Sequence, residues 1–393
     1  MLNTPFSPWP SYTAEEVRAV SDVVTSNKVN YWTGDLCREF ERRFAAWVGS
    51  GFAVALTNGT VALDVALKAL GIGPGDEVIT TPRTFLASAS CIVTAGATPV
   101  FADVDRDSQN ITAETIAQVV TPRTKAIICV HLAGMPCDMD PIMKLAERHG
   151  LKVIEDCAQA HGALYRGKSV GSIGHIGAWS FCQDKIMTTG GEGGMVTTSD
   201  PDLWSFMWSY KDHGKSWEAV YERDHPPGPR LVHDTFGTNW RMIEMQAAIG
   251  LVQLDLMPSW TARRTLVAGA LRSAFEPFSD MARVAPIPDN VDHAWYRFYA
   301  FVRPEGLADA WTRNRVIEEI VALGVPCFHG SASEVYLEHA FDGTGWRPPE
   351  RLPAAKELGE TSIAFLVHPT LTDEEIATTC DAIGRVFGSA RRA

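Results

Sequence analysis

The chain has 393 residues, of which 46% are hydrophobic and 21% are charged, a composition typical of a folded globular protein rather than of a disordered or collagen-like one. Its formal net charge of -12 argues against nonspecific nucleic-acid binding, because a basic surface is needed to neutralise phosphates. The length favours two domains, or one large α/β unit with an appendage.

The amino-terminal sequence MLNTPFSPWP is neither basic nor apolar, so it has no resemblance to a targeting leader. No uninterrupted apolar run of about 18 residues follows it. We therefore expect a cytoplasmic protein with no membrane partner. The eight cysteines form no CxxC pair, which is typical of reduced core thiols, and we predict no metal site.

From about Tyr12 to Asp200 the sequence alternates between helical and strand-like patterns. Apolar residues three and four apart predict helices in AEEVRAVSDVV and FERRFAAWV. Short β-branched or apolar runs predict strands in FAVAL, DEVITT, TPVFADV, KAIICVHL and LKVIEDC. Between strands lie the helical stretches GTVALDVALKALG and MDPIMKLAERHG, each ending in glycine. This alternation predicts a mostly parallel sheet covered on both faces, with ligands bound at the carboxyl ends of its strands.

Beyond about Gln246 the pattern changes. The sequence predicts a long helix in MIEMQAAIGLVQLDLM, a strand in HAWYRFYAFV, a helix around NRVIEEIVALG and a last helix from Thr372. These elements are typical of a smaller α+β domain. We place the large domain over residues 1–252 and the small one over 253–393.

Two segments carry candidate functional groups. In IEDCAQAHGA a predicted strand ending at Ile154 is followed by Asp156 and Gln159. A carboxylate there can also cap the next helix. In AWSFCQDKIMTTGGEGG, Lys185 lies between a predicted strand and a glycine-rich turn, where a lone lysine is usually solvated.

Together the two segments fit pyridoxal 5'-phosphate (PLP) chemistry. PLP requires a lysine that forms a Schiff base, a carboxylate that keeps the pyridine nitrogen protonated, and donors for its phosphate. Candidate donors lie in TNGTVAL, where Gly59 and Thr60 open a helix after the FAVAL strand. The same geometry also describes a simple Asn or Thr helix cap.

Seven segments in register resemble the DegT/DnrJ/EryC1/StrS family of PLP-dependent sugar aminotransferases, within the aspartate aminotransferase (fold type I) superfamily. They are GDEVITTPRTF, GATPVFADVD, KAIICVHLAGMPCDMD, VIEDCAQAHGA, VGSIGHIGAWSF, DKIMTTGGEGGMV and FGTNWRMIEMQAAIG, and they span nearly the whole chain. The resemblance implies a large PLP-binding domain, with a mostly parallel seven-stranded sheet between helices, and a smaller C-terminal α+β domain.

The same resemblance implies a function in amino sugar biosynthesis, for a polysaccharide or an antibiotic. The enzyme would use PLP and its aminated form PMP to move an amino group from an amino acid, usually L-glutamate, to a keto sugar. A nucleotide-linked 4-keto-6-deoxyhexose is the family's commonest substrate class. The family also implies a homodimer with shared active sites.

Each site residue is carried over from a matching motif. Lys185 would form the Schiff base and act as general acid and base, and Asp156 would pair with the pyridine nitrogen. The other implied cofactor contacts are Gln159 beside the ring hydroxyl, Phe85 stacked on the ring, Gly59, Thr60 and Ser180 at the phosphate, and Asn239 reaching the phosphate of the other subunit. As an alternative, Phe85 is a core residue.

The chain departs from the family in two places. TTGGEGG carries one glycine more than the common TTGEGG, and VPCFHGSASEVYLEHAF replaces a His-Tyr-x-Pro-Leu-His stretch that lines the substrate side. His329 is the best matching position there, although a lone histidine is more often structural. Tyr31 and Trp32 could line the sugar pocket, but core packing at the dimer interface explains them equally well.

Three rival functions share this sequence pattern. A PMP-dependent sugar dehydratase carries histidine in place of the lysine, so Lys185 disfavours it. A cyclitol aminotransferase acting on a keto-inositol shares every cofactor motif. A regulatory or scaffold protein without catalytic activity would keep the fold, but the presence of Lys185 and Asp156 disfavours it.

Overall fold

The computed structural model describes residues 5–392. The helices are α1 (Ala14–Ser26), α2 (Leu36–Val48), α3 (Gly59–Ala69), α4 (Ala87–Thr94), α5 (Ala113–Ala117), α6 (Met139–His149), α7 (Pro201–Tyr210), α8 (Trp217–Tyr221), α9 (Glu244–Phe275), α10 (Arg313–Ala322), α11 (Pro353–Thr361) and α12 (Asp373–Ala390). Over the described range, no helix is long and apolar enough to cross a membrane.

The strands form three sheets. They are β1 (Phe52–Leu56), β2 (Glu77–Thr80), β3 (Thr98–Phe101), β4 (Thr124–Val130), β5 (Lys152–Asp156), β6 (Leu164–Tyr165), β7 (Lys168–Ser169), β8 (Ile176–Ser180), β9 (Gly194–Thr198), β10 (Ala282–Arg283), β11 (Val291–Asp292), β12 (Arg297–Val302), β13 (Cys327–Phe328) and β14 (Ser362–Leu366). The smallest sheet pairs β6 with β7 and β11.

The central sheet has seven strands in the order β1-β9-β8-β5-β4-β2-β3. All neighbours are parallel except β9, which runs antiparallel to β1 and β8. Its strands are buried almost throughout because helices cover both faces, which is why they appear in the sequence as continuous apolar runs. The predicted seven-stranded, mostly parallel sheet is confirmed.

The carboxyl-terminal part is a separate α+β layer. Its antiparallel sheet has the order β10-β12-β14-β13, and α10, α12 and the second half of α9 pack around it in one hydrophobic core. The last helix begins where it was predicted, since the Thr372 hydroxyl accepts a hydrogen bond from the backbone N–H of Glu375. The smaller α+β unit is therefore confirmed.

Helix α9 is longer than the sequence pattern predicts. It continues through Pro258 and runs for 32 residues across the predicted boundary at residue 252. A proline inside a helix removes one backbone hydrogen bond, but α9 packs against α1 and α2 at one end and α12 at the other. The boundary at 252, which stays a prediction, falls inside a helix that both parts share.

Candidate active site

A cavity of about 560 Å³ lies beyond the carboxyl ends of β1, β2, β5 and β8. Parallel strands deliver their following loops to one edge of the sheet, so residues far apart in sequence meet there. The cavity brings together seven of the residues implied as cofactor contacts: Gly59, Thr60, Phe85, Asp156, Gln159, Ser180 and Lys185.

One end of the cavity is the amino terminus of α3. The Asn58 side chain caps this helix by accepting a hydrogen bond from the Val61 N–H at 3.0 Å, so the predicted cap is present. The N–H groups of Gly59 and Thr60 have no acceptor within residues 5–392. Ser180 accepts the Cys182 N–H at 3.3 Å through its oxygen, which leaves its hydroxyl proton free to donate. These donors at a positive helix end are suited to an anion.

Asp156, which also lines the cavity, closes strand β5 and is only 6% exposed. One carboxylate oxygen accepts the Ser88 hydroxyl at 2.7 Å, and the other accepts the Ala158 N–H at 3.1 Å. Burial raises the pKa of Asp156, against the opposing effects of these hydrogen bonds and of the Lys185 charge. Turns rather than a helix follow Asp156, so it does not act as a helix cap. Its carboxylate is a buried negative charge beside a cavity.

A second carboxylate, Glu155, fixes the end of β5 from the other side. His131 accepts the Cys137 N–H through Nδ1 at 3.0 Å, so its proton lies on Nε2, which donates to Glu155 at 3.0 Å. Glu155 also accepts three backbone N–H groups, from Gly171, Ile173 and Gly174. Burial alone would raise the pKa of Glu155, but these bonds lower it.

The Cys157 thiol lies close to the His131–Glu155 pair, within the reach of a shared metal ion. Both ring nitrogens of His131 are already engaged in hydrogen bonds, so the ring offers no free lone pair. The three groups therefore form a hydrogen-bonded support for β5.

The amide of Gln159 has a defined orientation. Its Oε1 accepts the N–H of Ala133 at 2.8 Å, so its NH₂ group is the end left to donate into the cavity. Ala133 has a φ of 57°, an unusual value for a residue with a side chain. The bend in the chain at Ala133 thus orients Gln159.

Phe85 lines the cavity with 69% of its surface exposed. A phenylalanine ring this exposed contributes little to a core, so the alternative of a core residue is not supported. Its open face offers an apolar surface to a flat ligand.

Lys185 reaches the same cavity, and its side chain is 15% exposed. The Trp9 indole donates to its backbone carbonyl at 2.8 Å. Burial alone would lower the pKa of Lys185, but Tyr296 and Asp184 outweigh it, and the pKa is raised. The lysine is therefore neither solvated nor isolated, in contrast to the usual environment of a surface lysine.

Tyr31 does not line the Lys185 cavity. It is 1% exposed, its hydroxyl donates to Glu41 at 3.0 Å, and the Lys211 ammonium lies 3.9 Å from the centre of its ring. The prediction that Tyr31 lines the sugar pocket is wrong, because an enclosed side chain cannot contact a substrate. Tyr31 packs in the protein core, as the alternative interpretation proposed, while a place at a dimer interface stays a prediction.

Three further predicted residues lie outside the Lys185 cavity. Trp32 is partly buried, and its indole donates to Asp212 at 2.7 Å. His329 and Asn239 are exposed, with Asn239 paired through its backbone to Asp212 at the edge of a loop. Their roles toward a substrate or a second subunit stay predictions.

Sequence reasoning missed three residues around the site: Ser88, Asp184 and Tyr296. Asp184 was visible as the neighbour of Lys185. Ser88 and Tyr296 carried no signal, because they reach the site from α4 and from the segment before β12, and only the tertiary fold brings them there.

Comparison with known proteins agrees with the fold and identifies the family. Residues 10–384 match the model of the DegT/DnrJ/EryC1/StrS aminotransferase family. A GDP-perosamine synthase of Caulobacter vibrioides is 38% identical over 89% of both chains. The crystal structure of an aminotransferase from Psychrobacter cryohalolentis is 62% identical, with a TM-score of 0.97 over 98% of this chain and 100% of that one. The structure of S. venezuelae DesV in complex with a ketimine intermediate is 32% identical, with a TM-score of 0.83 over 95% and 94%.

The fold and the matching relatives define the class of this protein as an aminotransferase. Within that class, the chain belongs to the DegT/DnrJ/EryC1/StrS family.

Proposed function

We propose that this aminotransferase binds PLP through Lys185 and transfers an amino group from L-glutamate to a keto sugar. The observation that carries the proposal is that one cavity contains a largely buried lysine, a buried carboxylate and the free amides of a helix start. The relatives' names favour a nucleotide-linked sugar, and a 4-keto-6-deoxyhexose is the substrate class proposed here.

The residues of the cavity fit the proposed cofactor. A β-carbon added to Gly59 would lie 2.5 Å from the Ser180 β-carbon, so only glycine leaves room at the start of α3. That space and the free N–H groups suit a phosphate, while Asp156 suits a protonated pyridine nitrogen. The free NH₂ group of Gln159 suits a ring oxygen, and Phe85 offers a stacking surface.

Each residue has a defined task in this mechanism. PLP, when bound, supplies an aldehyde that takes up the amino group and a ring that accepts the electron pair released at the reacting carbon. Asp156, as a carboxylate, would keep a proton on the pyridine nitrogen. Lys185 would hold the cofactor at its aldehyde carbon through Nζ, and as a free amine Nζ would take up and hold the proton released at the α-carbon of the donor.

The proposal includes a homodimer. The loop of residues 222–243 carries Phe236 and Leu231, which are 98% and 80% exposed. Exposed large apolar side chains grouped on one loop are typical of a surface that a partner covers. Asn239 lies on the same loop, which supports its predicted approach to the phosphate of a second subunit.

A half-reaction screen tests the function. The PLP-loaded protein is incubated with L-glutamate, and its visible absorbance is followed as PMP forms. Keto sugars linked to different nucleotides, and a keto-inositol, are then added separately to the PMP form. We expect a nucleotide-linked keto sugar to restore the absorbance; restoration by the keto-inositol alone would overturn the sugar assignment, and failure of every amino donor would overturn the transaminase mechanism.

We predict that Gly59→Ala weakens PLP binding by at least about tenfold while the fold is retained. The new methyl group would force the start of α3 away from Ser180 and disturb one or more hydrogen bonds to the phosphate, each contributing about 1.4 kcal/mol or more. Equilibrium titration of the cofactor-free protein with PLP measures the effect.

The matched control for this variant is Gly269→Ala. Gly269 lies inside α9 with no atom within 4 Å of the added carbon, so alanine should stabilise the helix without changing PLP affinity. Equal PLP affinity of Gly59→Ala and the wild type would contradict the assignment of the phosphate site.

A further inference from the structure

We propose that Asp184, held in place by Tyr296, is a positioning residue that binds the Lys185 ammonium whenever the lysine is free. The inference rests on the proposed function, in which Lys185 alternates between a bonded and a free state. In the free state, the Lys185 ammonium is bound by the Asp184 carboxylate.

The geometry joins three side chains. Lys185 Nζ lies 3.6 Å from Asp184 Oδ1, an ion-pair distance that leaves the ammonium loosely bound. The other carboxylate oxygen of Asp184 accepts the Tyr296 hydroxyl at 2.5 Å. The ammonium also lies 5.2 Å from the centre of the Tyr296 ring, within the range of a cation–π contact. Asp184 and Tyr296 thus contact the same ammonium from different directions.

The position of Tyr296 is set by the backbone. Its N–H donates to the Ala133 carbonyl at 2.8 Å, and the Ala294 N–H donates to the Gly134 carbonyl at 2.9 Å. Each of these two segments contains a residue with a positive φ: Ala133 at 57° and Trp295 at 53°. The segment before β12 is therefore fastened to the large domain, and the Tyr296 hydroxyl is fixed against Asp184.

Asp184 needs that support because it is not enclosed. Its side chain is 48% exposed, and it lies between the Lys185 cavity and a neighbouring cavity of about 700 Å³. An exposed carboxylate usually samples several rotamers and is screened by water, which weakens its ion pairs. The bond from the buried Tyr296 hydroxyl restricts Asp184 to a rotamer that faces Lys185.

The other titratable and charged groups around the pair are few. Those that influence Lys185, Asp184 or Tyr296 are Asp156, His161, Cys182, Arg264 and Arg297. Asp156 also attracts the lysine, but in the proposed function its charge is matched by the pyridine nitrogen. Asp184 is then the carboxylate that remains for the ammonium.

The contact with Asp184 is expected to slow the return of Lys185 to the cofactor. To bond to the cofactor again, Lys185 must act as a nucleophile, which requires Nζ to be a neutral amine. A carboxylate beside Nζ keeps the proton on the nitrogen and so slows this return. The same contact stabilises the lysine when it holds the proton taken from the substrate.

The test uses the cofactor-free protein and acetic anhydride as a probe. Acetylation of Lys185 is measured by mass spectrometry between neutral and alkaline pH, with exposed Lys28 as the internal reference. In Asp184→Asn the pH profile of Lys185 should move toward lower pH, with about tenfold faster labelling at neutral pH for each pH unit of displacement. Tyr296→Phe should move it less in the same direction, and Asp184→Glu should restore it.

An unchanged Lys185 profile in Asp184→Asn, with Lys28 also unchanged, would overturn the inference. A second measurement follows the rise of visible absorbance after PLP is added, which should be faster in Asp184→Asn at neutral pH. If PLP never bonds to Lys185 in the wild type, the proposed function fails, while the labelling experiment still decides the role of Asp184. A merely structural role would change folding without displacing the pH profile.

Discussion

Lys185→Ala is expected to abolish the imine absorbance of the PLP-loaded protein and to reduce transamination on the order of ten-thousand-fold, the upper end for a positioned acid–base group. The variant loses both the nitrogen that binds the aldehyde and the group that moves the proton. It keeps the donors at the start of α3, the Asp156 carboxylate and the Phe85 ring, so noncovalent PLP should remain bound. Absorbance spectra and mass spectrometry after borohydride reduction test the covalent link, and the rate of PMP formation with L-glutamate measures transamination.

The control for this experiment is Lys28→Ala, which removes an exposed lysine far along the chain from the cavity. Its spectrum and rate should equal those of the wild type. A wild-type spectrum in Lys185→Ala would show that another group holds the cofactor and would remove the basis of the assignment.

The central sheet was predictable because its strands are short, apolar and bounded by turn residues. Strand β1 covers the five residues of FAVAL, and β5 lies within LKVIEDC but ends at Asp156, two residues beyond the predicted end at Ile154. Because both faces of these strands are buried, their sequences are continuous apolar runs. The amphipathic helices instead place apolar residues three and four positions apart, so the two patterns can be distinguished. The carboxylate at a strand end therefore appeared in the right place.

The extent of α9 was not predictable, for a physical reason. Pro258 normally ends a helix, and the sequence alone contains no sign that α1, α2 and α12 enclose this one. Tertiary packing outweighs the missing hydrogen bond, and the helix joins the two parts of the chain.

The site residues that could be predicted are those that lie within a recognisable sequence motif. Lys185, Asp156 and Gly59 each lie next to a recognisable strand or turn. Tyr31 was misplaced because an aromatic residue near a family motif can face either a pocket or the core. Tyr296 was missed because its contact with Asp184 spans 112 positions of sequence.

Asp156→Asn is expected to have two opposite effects. With PLP, activity should fall at least about a hundredfold, because the neutral amide no longer keeps the pyridine nitrogen protonated. Without PLP, the variant should be more stable at neutral pH than the wild type. Burial raises the pKa of Asp156 above its unfolded value, so the folded state favours the protonated form.

The sign of the stability effect follows from linkage. A raised folded pKa contributes stability that is fully present below the unfolded pKa and is lost as the pH rises through the folded pKa. The buried carboxylate therefore lowers stability at neutral pH, and the amide avoids that cost. Asparagine can keep both hydrogen bonds, since its carbonyl can accept the Ala158 N–H while its NH₂ donates to Ser88, whose hydroxyl can donate to Thr84 at 2.9 Å.

Glu155→Gln, one residue earlier, provides the matched comparison. The pKa of Glu155 is lowered, so its stability is present above the unfolded pKa and is lost as the pH falls through the folded pKa. This substitution should lower the midpoint of thermal unfolding of the cofactor-free protein at neutral pH, whereas Asp156→Asn should raise it, and both differences should shrink in acid. If Asp156→Asn were as destabilising as Glu155→Gln, Asp156 would be one more structural carboxylate. A rise in stability would show that the Asp156 charge destabilises the cofactor-free fold, and that the cofactor offsets this destabilisation when it binds.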